Sequence, residues 1–571
     1  MDFVAGGLVG SRRLGANVPM SLSIATQPRE YRPATAESLQ FKNVFLLALP
    51  GILLAIACLV PFLNKAFTID DPLFLLEARQ ILRTPLQPWS YPICWNQTLT
   101  CFAQSGSSGA NVREGLMGYA LVPAVLANSE VVAHLTQLLF VCAVAMGMVA
   151  ITLRLGFDRG QAIAAGLLIV AIPPLLSMAN TAMPDVLALA LELAGFERLL
   201  AWKTERRWHQ AILAGITLGF APYARPHVAL FLPLGALWLF EDLKLGKALG
   251  QLRRQIFLWS PIAIAAVVLA GVNYITRLRG ASSELVTTAS STGNIPLNLI
   301  AYFHYLTFPI PLSAVWLAAN WRRVKILLVP PLIPVAFAYF MVPGMTLVKE
   351  LQVAAVLYGL VAIADIIAVF LRSGDQKGLL LLLWLSLPLF TIVYLHLPLK
   401  YLVPVLPAIV FLMLRAIPTA NRRRAALAYG IIVVACTGYS LLLLRADADF
   451  ANYGRRAAVE LIAPRVAAGE KVWYAGEWGF YWYAEQAGAK VAKSGESSAR
   501  PGDLLAIGLM ENGDVVLKDY AKRELVDSRS YDSPRGRTMG FGAGLYSNRF
   551  GLLPWRWNPA ATNEYQVWRI H

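Results

Sequence analysis

Two adjacent carboxylates, Asp70 and Asp71, follow the apolar run 43–63 almost at once, and Pro72 comes next. Acids at the mouth of a membrane helix are candidates for general-base or metal-ligand work. Asp71-Pro72 also reads as an N-cap followed by proline at the first helical position. Asp71 therefore has a structural reading beside its chemical one, whereas capping explains Asp70 less well. Asp185, in Met183-Pro184-Asp185, opens a later apolar helix on the side of Asp70. A charge at a helix start is often only a partner of the helix dipole, yet two acids on one side could frame a hydroxyl. Arg225 and Lys400 stand near the same ends of their spans, where a cation either binds phosphate or snorkels. His396 shares a loop with Lys400 and ranks below it, because a lone histidine is usually just hydrogen-bonded.

The chain of 571 residues that must position these groups is 57% hydrophobic and only 15% charged, against about a quarter charged in soluble domains. Its mean hydropathy is +0.54. Apolar runs of about 18 residues or more recur, which predicts a polytopic α-helical membrane protein. The net charge of +16 does not point to nucleic acid. Its Lys and Arg residues cluster in short loops between apolar runs, which is the positive-inside pattern.

That pattern predicts a cytoplasmic basic segment over 1–42, a membrane domain over 43–444 with a long first outer loop at 64–114, and a small extracytoplasmic α/β domain over 445–571. The layout has thirteen spans, with 210–224 and 227–240 read as two short spans or one re-entrant hairpin. After Asp71, Phe74, Ala78 and Leu82 recur at four-residue spacing while Glu77 and Gln80 fall elsewhere. This is an amphipathic helix lying along the membrane surface. In the tail, Val472-Trp473-Tyr474 and Leu504 to Ile507 read as buried strands and Gly479 to Gln486 as a helix.

Cys94 and Cys101 are the two cysteines of the first outer loop, and on an oxidising side a local disulfide is favoured over a metal pair. Cys58, Cys142 and Cys436 sit in apolar spans. The cluster Trp473, Tyr474, Trp478, Phe480, Tyr481, Trp482 and Tyr483 could stack sugars, but core and interface are favoured. The sequence has no P-loop, dinucleotide fingerprint or zinc motif.

The segment Ile69-Asp70-Asp71…Phe74…Glu77-Ala78-Arg79-Gln80 resembles the first-loop motif of GT-C glycosyltransferases, nearest the protein mannosyltransferase (family 39) and lipid A aminoarabinose transferase group. Met183-Pro184-Asp185 resembles their second acidic motif. Gly219 to Pro233, with Arg225-Pro226, resembles a glycine-basic-apolar stretch. Lys400-Tyr401 through Pro407 resembles their late basic-Tyr stretch with two prolines. Asp71 stands where Glu is common, and Arg225 where Lys is usual.

The resemblance covers about 43–444. It implies a GT-C-type fold and a transferase that moves a sugar from a polyprenyl-phosphate donor to an extracytoplasmic acceptor hydroxyl of a glycan, lipid or protein, and single displacement by that hydroxyl would invert the anomeric carbon. The expected setting is the bacterial inner membrane, with membrane lipid and no nucleic acid as partners. Asp70, Asp185 and Asp71 are the catalytic candidates. Glu77, Arg79, Arg225, His396, Lys400 and Tyr401 are the substrate-binding ones. The resemblance names no definite cofactor, and a divalent metal is possible. The competing expectation is a transporter or lipid-linked glycan flippase without transferase activity, which would also use many spans and intramembrane charges.

Overall fold

The computed structural model describes residues 40–88, 91, 115–241, 243, 245–254, 256–278, 294–335, 346–496, 498–558 and 561–571. The predicted Cys94–Cys101 pair lies outside them. Five described helices are long and apolar enough to cross a membrane: Phe41–Phe62, Glu130–Arg154, Val348–Ser373, Leu399–Ala416 and Arg422–Ala467. A sixth arises if Arg159–Ala171 and Pro173–Ala179, bent by 58°, are one span. Several segments of the thirteen-span layout fold as shorter apolar helices, among them Pro226–Leu239, Ile256–Val272 and Gln376–Thr391.

Helix α1 (Phe41–Leu59) ends in a tight turn at Val60–Phe62 and leads through a short irregular stretch to α2 (Asp71–Arg83). An apolar helix that the sequence reading did not assign, α3 (Leu116–Ala127), packs against α2. Helix α4 (Glu130–Arg154) starts at Ser129, whose hydroxyl accepts the Val132 N–H at 3.4 Å. Helix α5 (Arg159–Ala171) opens on a reciprocal capping box between Asp158 and Gln161, which satisfies two otherwise orphaned N–H groups. The Pro173-Pro174 pair cannot continue that hydrogen-bond ladder, so the chain bends into α6 (Pro173–Ala179). A short turn then reaches α7 (Asp185–Glu205).

The α1–α5 contact is close. A Cβ on Gly51 would come within 2.7 Å of the Gly166 carbonyl oxygen, so glycine is what lets these two backbones meet. Small residues at helix contacts are the usual solution in lipid, where apolar packing alone gives little drive.

The long helix beginning at Arg422 continues to Ala457 and carries the chain past residue 445 without a break. The C-terminal unit it enters is built on a five-stranded sheet of order β2-β1-β3-β7-β4. These strands are β1 (Val472–Ala475), β2 (Lys490–Val491), β3 (Leu504–Gly508), β4 (Arg523–Asp532) and β7 (Ala561–Ile570). β1 pairs in parallel with β2 and β3, whereas β7 runs antiparallel to β3 and β4. Central β3 is buried along its whole length, and the edge strand β4 carries Arg523, Glu524, Asp527 and Arg529. That division matches the need to keep an open sheet edge charged. A β-hairpin of β5 (Met539–Gly540) and β6 (Ala543–Gly544) leads to the turn around Asn548.

Most of the aromatic cluster is core. Tyr474, Phe480, Tyr481, Trp482 and Tyr483 are all buried. The helix Trp478–Gln486 that carries four of them packs on both α2 and the long helix. A Cβ on Gly479 would lie 2.2 Å from the Phe67 carbonyl oxygen, so this helix start sits hard against the stretch before Asp70. The Phe67 N–H also donates to the Tyr483 hydroxyl at 2.9 Å.

Candidate active site

Residue by residue, the site begins with backbone geometry. Ile69 has φ of +46°, a left-handed conformation that a β-branched side chain seldom adopts, and such strain gathers at functional sites. It is held by Asp71. One Asp71 oxygen accepts the Thr68 N–H at 2.9 Å and the other accepts the Ala182 N–H at 2.8 Å. Asp71 is fully buried and is the first residue of α2, with Asp70 at the cap position. This corrects the N-cap reading of Asp71: its carboxylate staples the stretch before α2 to the turn before α7. Burial pushes the Asp71 carboxyl up to about 7, against the opposing pull of Lys65 and the two N–H groups.

The turn at Asp71 presents Asp70 to Lys400, whose Nζ donates to Asp70 Oδ2 at 2.9 Å. Lys400 is buried at 5% exposure, whereas the Asp70 side chain keeps 31%. The second near neighbour of Lys400 Nζ is the Met183 sulfur at 3.7 Å, a weak acceptor. Burial raises the Asp70 proton affinity, but the Lys400 ion pair, with Arg225 and His396 nearby, outweighs it and holds the carboxyl below its ordinary range. Asp185 meets Arg225 in a two-pronged pair. Nε reaches Oδ1 at 3.0 Å and Nη2 reaches Oδ2 at 2.7 Å, with both side chains buried. Such a fork fixes the guanidinium plane as a lysine cannot.

An aromatic wall stands beside these pairs. Tyr401 lies 5.2 Å from the His227 ring, 6.0 Å from Tyr394 and 6.4 Å from His396, ring centre to ring centre. Burial first, then Lys400, push the His396 imidazole down to about 4, so it is neutral at physiological pH. Asp70, Asp185, Arg225, His396, Lys400 and Tyr401 are thus brought together from distant segments. Glu77 and Arg79 are not among them. Glu77 packs against Gly118 of α3, where an added Cβ would meet the Glu77 Cβ at 2.8 Å. Arg79 stacks on Trp482 at 3.8 Å and lies 3.9 Å from Glu485, so it joins α2 to the C-terminal unit.

Three groups absent from the sequence reading border the site. Glu477 is buried at the start of the helix Trp478–Gln486, bonded through Oε1 to Asn512 Nδ2 at 2.7 Å. Burial pushes it up to about 7, and the nearby Asp70 charge adds to the rise. Its neighbour Trp478 has φ of +55°, so left-handed residues adjoin both Asp70 and Glu477. Asp447, on the long helix, pairs with buried Lys65 at 2.5 Å and accepts the Tyr546 hydroxyl at 2.7 Å. Arg549, in the turn after β6, is close enough to His396 for its charge to lower the proton affinity of that imidazole. A signal for Asp447 existed in its place on an apolar helix. Glu477 stands inside the aromatic cluster Trp473 to Tyr483 and Arg549 in the turn after β6, where no spacing distinguishes them.

Among the described residues no group of three or more His, Cys, Asp or Glu is placed to hold a metal ion. The donor set of the cluster is two carboxylates already matched by two cations, which does not suit a divalent metal.

No protein-family model and no curated protein sequence matches the chain. Among solved structures it is similar to ArnT from Cupriavidus metallidurans in the apo state, with a TM-score of 0.38 and 11% identity over 84% of this chain and 95% of that one. The undecaprenyl phosphate-bound form of ArnT gives 0.39 and 12% identity over 86% and 96%. The arabinosyltransferase EmbB from Mycobacterium smegmatis gives 0.32 and 14% identity over 75% of this chain and 42% of that one.

Proposed function

We propose that the chain is a multi-pass membrane glycosyltransferase, moving a hexosyl or pentosyl group from a polyprenyl-phosphate donor to an acceptor hydroxyl on the extracytoplasmic face. The observation that carries this reading is convergence. Four short motifs spread over 330 residues meet as two carboxylate–cation pairs, Asp70–Lys400 and Asp185–Arg225. A phosphate ester of a sugar already has a good leaving group. The protein must supply a base for the incoming hydroxyl and positive charge for the departing phosphate.

Asp70 is the base in this reading. Its partial exposure lets a hydroxyl reach it, and its pairing with Lys400 keeps it a weak base while the site is empty. A donor phosphate drawn to Lys400 competes with Asp70 for that ammonium. The Asp70 proton affinity then rises only when the donor is in place. The acceptor oxygen attacks the anomeric carbon from the face opposite the phosphate. The bond from carbon to phosphate oxygen breaks with its electrons on the phosphate, the hydroxyl proton passes to Asp70, and the anomeric configuration inverts. The fully buried Asp185–Arg225 fork is a fixed wall that orients the reactants. The long polyprenyl tail stays in lipid while its head group enters the site.

The test is direct. Purified protein is incubated with a panel of labelled polyprenyl-phosphate sugars, and free polyprenyl phosphate and transferred or released sugar are measured. Cleavage by the wild type that Asp70→Asn abolishes supports the reading. Movement of intact donor across vesicle membranes without cleavage by any panel member overturns it in favour of a flippase.

A further inference from the structure

The two cations that the sequence motifs offer for phosphate are not available as free charges. Asp70 neutralises Lys400 and Asp185 neutralises Arg225, while His227 and His396 add rings to the wall. A dianionic or monoanionic phosphate approaching this cluster meets matched pairs, and matched pairs attract an anion weakly. Some other charge must bring the head group in.

The turn after β6 supplies one. Asn548 is 2% exposed and is clamped on both sides of its amide. Its Oδ1 accepts the Leu397 N–H at 3.1 Å, and its Nδ2 donates to Asn298 Oδ1 at 2.9 Å. Asn298 in turn donates to the carbonyls of Ile392 and Tyr394 at 2.8 and 2.9 Å. The turn is therefore locked to the stretch 392–398 that runs directly into Lys400. The next residue, Arg549, is exposed, and its charge acts on His396 beside Lys400 and Asp70. Among the described residues its guanidinium has no hydrogen-bond or ion-pair partner, while its N–H donates to Ser547 Oγ at 3.4 Å. Phe550, which follows, is 39% exposed. A buried amide that fixes the backbone, followed by an uncommitted planar cation and an exposed ring, suits capture of a phosphate attached to an apolar chain.

We propose that Arg549, carried by the C-terminal unit and fixed by Asn548, is the phosphate-binding residue that recruits the lipid-phosphate donor to the Asp70–Lys400 pair. This rests on the transferase reading above and adds to it a role for the C-terminal unit, which the sequence motifs do not reach. It also orders events: Arg549 holds the phosphate first, and Lys400 exchanges Asp70 for the phosphate afterwards.

The test uses the full chain in nanodiscs with three probes: undecaprenyl phosphate, the uncharged polyprenol and inorganic phosphate. Calorimetry is run on the wild type, Arg549→Gln and Arg549→Lys, with thermal unfolding as the folding control for this exposed position. The expected result is that wild type prefers undecaprenyl phosphate to polyprenol. Arg549→Gln should weaken that binding about 10- to 100-fold, the usual worth of a charge-assisted bond, and Arg549→Lys should restore part of it. In turnover, Arg549→Gln should raise the donor KM with kcat changed far less. Unchanged undecaprenyl phosphate affinity in Arg549→Gln, with wild-type preference intact, overturns the inference and leaves the transferase reading standing. A wild type that binds undecaprenyl phosphate no better than polyprenol removes the donor reading itself. Equal Arg549-dependent binding of inorganic phosphate overturns the lipid assignment and makes Arg549 a free-anion site.

Discussion

Lys65 and Asp447 form a buried ion pair at 2.5 Å that joins the stretch after α1 to the long helix entering the C-terminal unit. Lys65 Nζ also donates to the Asn180 carbonyl at 2.7 Å, and Asp447 accepts from Tyr546 at 2.7 Å and Thr538 at 3.3 Å. Four segments of chain are tied at this one point, directly behind Asp71. Removing one partner leaves the other as a buried charge, a cost of about 3–5 kcal/mol. Asp447→Asn and Lys65→Met should each lower the melting temperature of the purified protein sharply, and the double variant Lys65→Met/Asp447→Leu should recover much of the loss. Equal losses in the single and double variants would show that the pair is not coupled as drawn.

Asp71→Asn tests the stapling role. An amide offers one carbonyl oxygen where the carboxylate offers two, so the variant must abandon either the Thr68 or the Ala182 N–H. A buried unmet donor costs about 1–3 kcal/mol, and the strained Ile69 loses its restraint. Helix capping alone would make Asp71→Asn mild. The structure instead leads us to expect a fall in melting temperature together with reduced turnover. Asp70→Asn leaves the buried Lys400 an amide oxygen to donate to but no countercharge, so the melting temperature should fall modestly while transfer drops about 10²–10⁴-fold, the range for losing a general base. The reverse pattern, a stable but inactive Asp71→Asn and an active Asp70→Asn, reverses the assignment of the two carboxylates.

The Asp185–Arg225 fork separates geometry from charge. Arg225→Lys keeps the positive charge but cannot make both bonds of the fork. We expect it to fold and to lose transfer by about tenfold or more, from misplacement of the reactants. Arg225→Gln should do worse, because it leaves the fully buried Asp185 unpaired. If Arg225→Lys transfers at the wild-type rate, the fork has no positioning role.

What the sequence made legible follows a physical line. Apolar runs announce themselves through composition, so α1, α4 and the apolar part of the long helix from Arg422 are legible, whereas the continuation of that helix past residue 444 to Ala457 is not. The strands Val472–Ala475 and Leu504–Gly508 carry short buried runs and were equally readable. Asp70, Asp185, Arg225 and Lys400 stood out because each is a charge at the end of an apolar helix, where charge is costly. Their pairing was not readable, since nothing in local spacing says that Lys400 meets Asp70 and not a ligand. Glu77 and Arg79 belong to a motif but turn toward α3 and Trp482, which only the packing of α2 determines. Apolar α3 lies between the outer loop 64–114 and α4, and its 12 residues fall short of the length that marks a crossing. Glu477, Glu511 and Arg549 were invisible for a different reason: charged residues in a soluble-looking domain are common, and burial or orientation is fixed by contacts with segments hundreds of residues away.

Glu477 and Glu511 give the chain a pH-dependent stability. Glu511 is buried, accepts from the Tyr565 hydroxyl at 2.5 Å and from Asn563 Nδ2 at 3.1 Å, and feels the charge of Glu477. Burial is the main cause that pushes Glu511 up to about 8 and Glu477 up to about 7, from an ordinary value of 4.5. The folded protein therefore holds these protons more tightly than the unfolded chain does. This contribution to stability is fully present below the unfolded value and is lost as pH rises through about 7 and then about 8. Asp71, likewise pushed up to about 7 by burial, and Glu485, raised by burial despite Arg79 beside it, act in the same direction and add to this slope, while Arg455 matches Glu130. We expect the melting temperature to fall between about pH 5 and about pH 8, and Glu511→Gln to flatten the fall by removing one titrating group while keeping an oxygen for Tyr565. Parallel curves for wild type and Glu511→Gln across that range would place the titrating group elsewhere.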